Sequence, residues 1–382
     1  MAELTAPKFQ PKIRSEFSRV LRGRVNDYFK SNNISTEANG KMIRRSILLM
    51  VAWLGVYAGL MVVTMPLWLT YILWAILGAL IALVCVNIGH DAIHGAYSKK
   101  KWVKDILCHT FNVNGASAYM WKVSHNHAHH TYTNIHGHDA DINPGEFLRI
   151  SPTTKLLPLH KVQHIYAFFT YTLATLSWVF AKDYVQFFQN KIHNYNGKRH
   201  PKKELFYLFL YKIINYSMYL VVPLLLMPYS WGHILGGYLV MHLVSGFYLA
   251  IIFMLAHAVE EVGFPLPNET GVIEDDWVLH QMHTTANFSS DSALVAFLTG
   301  GLNLQIEHHL FSNICTIHYP SLTKIVQKTC AEYEVPYIAL PTFWSAIKSH
   351  YRFLRKLGHE EAYEPKIKKP EIKKPEIKPV YA

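Results

Sequence analysis

Residues 67–94 read LWLTYILWAILGALIALVCVNIGHDAIH, an apolar run that ends in two histidines, His90 and His94. Residues 67–89 are long and apolar enough to cross about 30 Å of hydrocarbon as a helix. The i, i+4 spacing of the histidines puts both imidazoles on one helix face, one turn apart, as chelation of one metal ion requires. One such pair is expected by chance in a chain with 23 histidines, so its meaning depends on the other histidine groups.

Three more stretches are long and apolar enough to span a membrane: residues 46–64, 205–227 and 233–256. The four predicted spans form two hairpins, because the connections at 65–66 and 228–232 are short and carry no charge. Basic residues flank the opposite ends of the spans: Lys41, Arg44, Arg45, Lys99, Lys100, Lys101, Lys198, Arg199, Lys202 and Lys203. By the positive-inside rule, both termini are predicted to be cytoplasmic.

A fifth apolar stretch, residues 165–180, is short and aromatic. If it crossed the membrane, the histidines that precede it and those near Gln305 would lie on opposite sides. We therefore expect it to be an interfacial helix. The predicted fold is an all-α, multi-pass integral membrane protein with four transmembrane helices in two hairpins and a histidine-rich cap on the cytoplasmic side.

This prediction divides the chain into a cytoplasmic N-terminal segment (1–45), a membrane domain (46–341) and a C-terminal extension (342–382). Within the extension, residues 366–378 repeat Lys-Pro-Glu-Ile-Lys. Proline at that density with alternating charge cannot form a packed helix or sheet, so we expect a disordered tail.

The overall composition also favours a membrane protein. Of the 382 residues, 51% are hydrophobic and 16% are charged, below the quarter or so that is usual in soluble domains. The net charge of +11 suits anionic lipid or an acidic protein partner, and we expect no nucleic-acid partner. The four cysteines form no C-x-x-C pair, and the first 45 residues contain no secretory signal peptide. Both features fit a reduced cytoplasmic setting.

Two further histidine groups extend the first pair: His125-Asn-His-Ala-His129-His130 and Gln305-Ile-Glu-His308-His309. Adjacent residues on a helix differ by about 100° in direction, so a histidine doublet can serve two metal ions, as a dinuclear site needs. Neutral imidazoles suit Fe, Cu or Zn rather than Mg or Ca. A site beside long apolar helices suggests a hydrocarbon substrate, whose C–H bonds need a redox metal and O2, and this favours iron.

The three groups, in this order, resemble the histidine boxes of the membrane fatty acid desaturase family, and the resemblance covers about residues 42–341. The phrase His129-His130-Thr-Tyr-Thr-Asn134, followed by Asp139-Ala-Asp141, is similar to the bacterial linoleoyl-CoA desaturase-like branch. Gln305, in place of a first histidine, resembles the front-end desaturases, which act between an existing double bond and the carboxyl end. The resemblance implies an oxidoreductase with two iron ions that uses O2 to put a cis double bond into an acyl-CoA or acyl-lipid.

The eukaryotic front-end enzymes often carry a fused cytochrome b5 domain with a His-Pro-Gly-Gly motif. This sequence contains no such motif, and the 45 residues before the first span are too few for that domain. We therefore expect electrons from an external ferredoxin or cytochrome b5-like donor that docks on the basic cytoplasmic face.

The expected metal ligands come from the three groups and from the end of the fourth span, where the resemblance implies one more ligand. They are His90, His94, His125, His129, His130, His257, His308 and His309, with His280 and Gln305 as further ligands or neighbours of the site. Asp91 and Glu307, interleaved with ligands, are predicted to orient them by hydrogen bonds, ahead of Asp139 and Asp141. We expect no catalytic residue beyond the ligands, and local or solvated roles for His127, His136, His138 and His283.

Two alternatives remain at the level of sequence. A membrane hydroxylase of lipids could use the same di-iron site, because hydroxylation and desaturation diverge after the first hydrogen abstraction. A metal transporter would need polar ligands near the bilayer midplane, whereas the predicted spans are nearly free of ionisable groups. Chain length, double-bond position and acyl carrier stay open.

Overall fold

The computed structural model describes residues 6–9, 15–139, 141–142, 145–189, 191–192, 195–196 and 200–359. The predicted tail at 366–378 and the basic residues Lys198 and Arg199 lie outside the described residues. The α-helices are Glu16–Ser31, Gly40–Val62, Leu67–Val84, His90–Ile93, Lys101–Val113, Ala118–Trp121, His130–Tyr132, Gln163–Thr172, Ala174–Ser177, Asp183–Phe188, Lys202–Tyr216, Val222–Leu226, Trp231–His257, Trp277–Thr284, Ala293–Leu298, Gln305–Leu310, Tyr319–Glu332 and Phe343–Leu357.

Other regular structure is short. The π-helical segments are Cys85–Gly89, Lys122–His129, Trp178–Lys182 and Ser217–Val221, and the 3₁₀ segments are Pro158–Val162 and Thr316–His318. Strand pairs of two residues each join Lys8–Phe9 to Val272–Ile273 and Asn287–Phe288 to Ala339–Leu340, both parallel, and Lys191–Ile192 to Tyr195–Asn196, antiparallel. The predicted all-α class is therefore confirmed.

Four helical runs are long and apolar enough to cross a membrane: Gly40–Val62, Leu67–Ile93, Lys202–Leu226 and Trp231–His257. They confirm the four predicted spans, each with ends that differ from the predicted ones by a few residues. The second run continues through a π-helical segment and carries His90 beyond the apolar part. The fourth ends on His257 itself. Two spans thus deliver histidines directly at their ends.

The second and fourth spans pack closely against each other at the centre. A side chain at Gly78 would lie 2.2 Å from the backbone oxygen of Met241, and one at Gly237 would overlap Trp74. Small residues at these points let the two helix backbones approach, which is how helices associate inside a bilayer. Trp74 and Met241 are completely buried as a result. This pair of packed spans supports the first histidine group and His257.

The apolar stretch at 165–180 forms short consecutive helices and is not among the four spans. Its outer face exposes large side chains, among them Ile165 and Phe169, each 64% exposed. Its inner face buries Ala167 and Tyr171 against the protein. An apolar outer face on a helix of this kind is typical of an interfacial position.

One ion pair lies halfway along the third span. The Nζ atom of Lys212 donates to the carbonyl oxygens of Gly115 and Trp178 and to Asp183 Oδ2, each at 2.7 Å. Asp183 Oδ2 also accepts from the backbone N–H of Ser117, the residue that caps the helix leading into the second histidine group. Irregular backbone at this depth is tolerated only where the protein satisfies its polar groups. Lys212 meets that need.

The predicted topology can be tested by cysteine accessibility in a Cys108→Ser background, since the other three cysteines are buried. Single cysteines at the exposed positions Lys100 and Asn313 should react with a membrane-impermeant maleimide from the same side, and one at Thr64 from the opposite side. Labelling of Lys100→Cys and Asn313→Cys from opposite sides would contradict the hairpin arrangement.

Candidate metal centre

The fold brings the histidines of all three sequence groups together with His257 in two adjacent clusters. The first cluster contains His90, His94, His125 and His308, and the second contains His129, His257 and His309. Within each cluster, one potential ligand atom per residue lies within 4.8 Å of every other. Each cluster combines residues from distant parts of the chain, so the geometry depends on the tertiary fold.

His130 lies between the two clusters. Its ring centroid is 4.7 Å from that of His94 and 4.3 Å from that of His309. Its Nε2 atom is 3.1 Å from His125 Nε2. Two nitrogens that bind one metal ion at about 2.1 Å are held at about this separation. The structure therefore places every predicted box histidine in or between the clusters.

π-helical turns position the first two histidine groups. Residues 85–89 precede His90, and residues 122–129 contain His125 and His129. In a π-helix the hydrogen bonds run from i to i+5, so residues five apart lie roughly one turn above each other, as His125 and His130 do. In an α-helix of 3.6 residues per turn the same two side chains would diverge. The distortion brings a third histidine of this segment to the site.

Carboxylates fix two of the ligand rings. The Nδ1 atom of His125 lies 3.0 Å from Asp141 Oδ2, and that of His129 lies 3.0 Å from both oxygens of Asp139. Because a carboxylate accepts, each Nδ1 carries the proton and each Nε2 presents its lone pair to the cluster. This is the arrangement that raises the basicity of a metal-binding imidazole and sets its orientation.

Neutral groups fix three more rings. His309 Nδ1 lies 2.8 Å from Gln281 Oε1, His257 Nδ1 lies 3.3 Å from the Thr284 carbonyl oxygen, and His308 Nδ1 lies 3.2 Å from the Tyr319 hydroxyl. The sequence analysis missed Gln281 and Tyr319. No local spacing links either residue to a histidine box, so no sequence signal could have identified them.

The inward nitrogens provide a test of whether the site fits a metal. Nε2 has no hydrogen-bond partner within the described part of the chain in six of these buried histidines: His90, His94, His129, His257, His308 and His309. A buried polar atom without a partner costs about 1–3 kcal/mol. A metal ion requires such nitrogen lone pairs, which converge on one point and accept no hydrogen bond. The donor set, rich in imidazole, fits iron, copper or zinc.

Burial also keeps most of these imidazoles neutral. Desolvation and the neighbouring histidines hold the pKa well below its usual value in His125, His130, His308 and His309. His129 differs, because burial is outweighed by the adjacent Asp139 and its pKa is raised. The attraction between the two groups also outweighs burial at Asp139 and lowers the pKa of that carboxyl. The neutral rings can bind metal without first losing a proton.

Asp91 and Glu307, which the sequence favoured as orienting carboxylates, make their hydrogen bonds mainly to groups other than the ligand rings. Asp91 Oδ2 accepts from Cys315 and Thr316, while its Oδ1 lies 3.5 Å from His90 Nδ1. Glu307 accepts from Asn287 and Tyr337 and contacts no ligand histidine through the hydrogen bonds described. For Glu307 the reason is helical geometry, since a residue next to a ligand points about 100° away from it. Asp139 and Asp141, ranked lower, make the direct contacts.

His280 and Gln305 occupy different positions. His280 is completely buried with its ring edge against Phe9, centroids 5.0 Å apart, and lies outside both clusters. Burial lowers its pKa to about 4. Gln305 is also buried and lies beside His257. Its Oε1 atom has no hydrogen-bond partner among the described residues. Gln305 is therefore much better placed than His280 to reach a metal in the second cluster.

The structure thus combines four helices that are long and apolar enough to span a membrane with two buried histidine clusters that could hold metal ions. Comparison with known proteins identifies the class further. The family model described as "Fatty acid desaturase" matches residues 66–341, more than two thirds of the chain. The chain belongs to the fatty acid desaturase family. It is an oxidoreductase, a fatty acid desaturase, and its four apolar helices fit an integral membrane protein.

Several relatives align over nearly the whole chain. An "Acyl-lipid (8-3)-desaturase" of Physcomitrium patens is 35% identical over 91% of this chain and 72% of its own length. An "sn-1 linoleoyl-lipid 6-desaturase" of Synechocystis sp. is 33% identical over 93% of this chain and 99% of its own length. An "Acyl-lipid (8-3)-desaturase" of Mortierella alpina is 34% identical over 90% of this chain and 78% of its own length. The predicted family resemblance is confirmed.

The orienting role of Asp139 can be tested by two substitutions. Asp139→Ala removes the acceptor from His129 and should lower metal affinity by about tenfold or more. Asp139→Asn keeps one acceptor oxygen and should cost less. Metal content after dialysis against graded chelator measures both, with the exposed Asp27→Ala as control. Equal retention of metal by Asp139→Ala and the unaltered protein would exclude this role.

Gln305 offers a second test, since its amide oxygen is a weak ligand compared with imidazole. Gln305→Ala should lower turnover strongly with the fold retained, and Gln305→His should keep the metal but change the reactivity. Metal content and product yield are measured in both, with the exposed Gln327→Ala as control. Turnover and metal loading at unaltered levels in Gln305→Ala would mean that Gln305 only packs against the site.

Proposed function

We propose that this protein is a front-end acyl-lipid desaturase with two iron ions, one in each histidine cluster. The substrate class is inferred from the alignment with the Synechocystis linoleoyl-lipid 6-desaturase, which extends over 99% of that relative's length. Position 6 lies between the carboxyl end and the existing double bonds of a linoleoyl chain. Gln305 in the third histidine group supports the same conclusion.

The chemistry of the donors supports iron. His90, His94, His125 and His308 would hold one ion and His129, His257 and His309 the other, with His130 between them and Gln305 as a further ligand of the second. When bound, iron supplies the capacity to activate O2 for attack on an unactivated C–H bond, which zinc lacks. The two clusters lie side by side, and each offers at least three imidazole nitrogens that would hold one ion.

The protein's own residues orient the ligands and exclude water. Asp139, Asp141 and Gln281 hold three imidazoles by their Nδ1 atoms, and Trp121 stacks on His125 with ring centroids 3.9 Å apart. Phe253 lies against the same ring at 5.1 Å. These aromatic walls shield the clusters and offer an apolar surface to an acyl chain. Excluding bulk water from the site also limits side reactions.

The overall reaction removes one hydrogen from each of two neighbouring methylenes. With O2, two electrons and two protons it gives a cis double bond and two waters. The electrons must come from an external one-electron carrier, such as a ferredoxin or a cytochrome b5-like protein. The basic residues that flank the spans support a cytoplasmic position for the site and for that donor. His280 is better assigned to packing beneath Phe9 than to metal binding.

The rival functions predict different products. A hydroxylase would yield a hydroxy-acyl chain, whereas a desaturase yields a chain two hydrogens lighter. A transporter would need ligands near the midplane, and the clusters lie at the ends of the second and fourth spans, not at their centres. Expression in a host of known lipid content, followed by mass spectrometry of acyl chains and head groups, distinguishes all three.

The metal assignment is tested by His94→Ala, His129→Ala and His309→Ala, each of which removes one imidazole from a cluster. Each should lose iron and abolish the new double bond while still inserting into the membrane, because the side chains lie outside the apolar spans. His127→Ala is the matched control, since this exposed histidine lies in the same motif but outside both clusters. A purified protein that holds zinc alone and shows no redox activity would contradict the oxygenase assignment.

A further inference from the structure

A cleft of about 620 Å³ opens beside the first histidine cluster. Its lining includes Ala92 and Ile93, which lie between the cluster residues His90 and His94 in sequence. Lys122, three residues before His125, forms part of its wall. Its volume is that of a small-molecule site rather than of a packing defect. The histidines of the two clusters do not line this cleft, so the metal centre gives it no role.

The cleft lies where two spans leave the hydrocarbon. Ile93 is the last residue of the second span, and Lys203, which also lines the cleft, is at the start of the third. The helix Lys101–Val113 forms a further side and exposes Trp102 and Ile106, 63% and 59% accessible, on a neighbouring face. An exposed tryptophan on an amphipathic helix marks the membrane interface. The cleft is thus at the level of lipid head groups.

The charges of the cleft favour an anion. Its walls carry four lysines, Lys101, Lys104, Lys122 and Lys203, against two acidic residues, Asp105 and Glu204. Lys101 pairs with Asp105 and Lys203 lies 4.0 Å from Glu204. Within the part of the chain that the structure describes, Lys104 and Lys122 have no ion pair. These two ammonium groups remain to bind a ligand.

Phosphate is the anion that best fits this arrangement. Lysine acts as a flexible point charge that binds phosphate readily. The remaining wall contributes polar and aromatic groups, among them His109, Asn112 and Tyr207, which suit the polar body of a head group. A ligand held here would have its acyl chain at the protein–hydrocarbon boundary, beside the segment that carries His90 and His94.

We propose that this cleft binds the phosphate-bearing head group of the acyl substrate through Lys104 and Lys122, and so sets which lipid class the enzyme uses. This inference rests on the proposed desaturase function and names the part of the substrate that is recognised. The shared chemistry is a phosphate ester, which a phosphoglycerolipid or coenzyme A can supply. An acidic electron-carrier protein would be a different occupant, and the experiment below distinguishes it.

The test uses the full-length, iron-loaded protein in lipid nanodiscs with a reduced one-electron donor. The same linoleoyl chain is offered on phosphatidylglycerol, on a neutral galactolipid and on coenzyme A. Lys104→Ala/Lys122→Ala should raise KM for the phosphate-bearing substrates about tenfold, with kcat within about twofold and the galactolipid kinetics unchanged. A rise on only one of the two phosphate carriers would identify the natural source.

Two matched variants make the result decisive. Lys104→Arg/Lys122→Arg keeps both charges and should restore most of the affinity, and Lys324→Ala/Lys328→Ala removes two exposed lysines elsewhere and should change nothing. Added salt should raise KM for phosphatidylglycerol in the unaltered protein and much less in the double alanine variant. Unchanged KM for both phosphate-bearing substrates in that variant overturns the proposal, as does a rise confined to KM for the electron donor.

Failure of the proposed function gives a different signature. If the unaltered protein forms no double bond on any of the three substrates, the desaturation assignment fails while the cleft can still be judged. Native mass spectrometry then compares retention of phosphatidylglycerol and galactolipid by the unaltered protein and by Lys104→Ala/Lys122→Ala. Selective loss of phosphatidylglycerol from the variant supports the cleft, and equal retention overturns it.

Discussion

The structure depends on one constraint: imidazole nitrogens that are buried without a hydrogen-bond partner must be held in place. Each such nitrogen destabilises the protein without metal, and a bound metal ion would relieve that cost. The hydrogen bonds that the opposite ring nitrogens donate, from His129 Nδ1 to Asp139 and from His309 Nδ1 to Gln281 Oε1, keep the rings from rotating toward other partners. Stability and metal binding are therefore coupled in this fold.

The membrane spans help to hold these histidines in place in two ways. The second and fourth spans approach through Gly78 and Gly237 and form a stiff base from whose ends His90 and His257 project. The third span contributes polar contacts instead. Lys212 holds the loop before the second histidine group. Its charge would be costly in lipid, but inside the protein it is paired with Asp183 and hydrogen-bonded to Gly115.

Apolar surroundings and neutral ligands support each other. Aromatic walls such as Trp121 and Phe253 exclude water from His125, and the loss of water keeps the imidazole uncharged. The same walls suit a hydrocarbon chain. The polar cleft lies next to this apolar region. An amphipathic substrate would place its charged end in the cleft, at the interface, and its acyl chain along the apolar region toward the clusters.

The sequence alone determined the four spans, the three histidine groups and the family. Those features are properties of single segments, because hydrophobic length and local spacing do not depend on distant residues. The tertiary structure decided which histidines share a cluster and which groups orient them. Asp91 and Glu307 were favoured for their position beside ligands, and the structure gives the shorter contacts, each 3.0 Å, to Asp139 and Asp141. Gln281, 28 residues from His309, reaches it only because separate helices pack together.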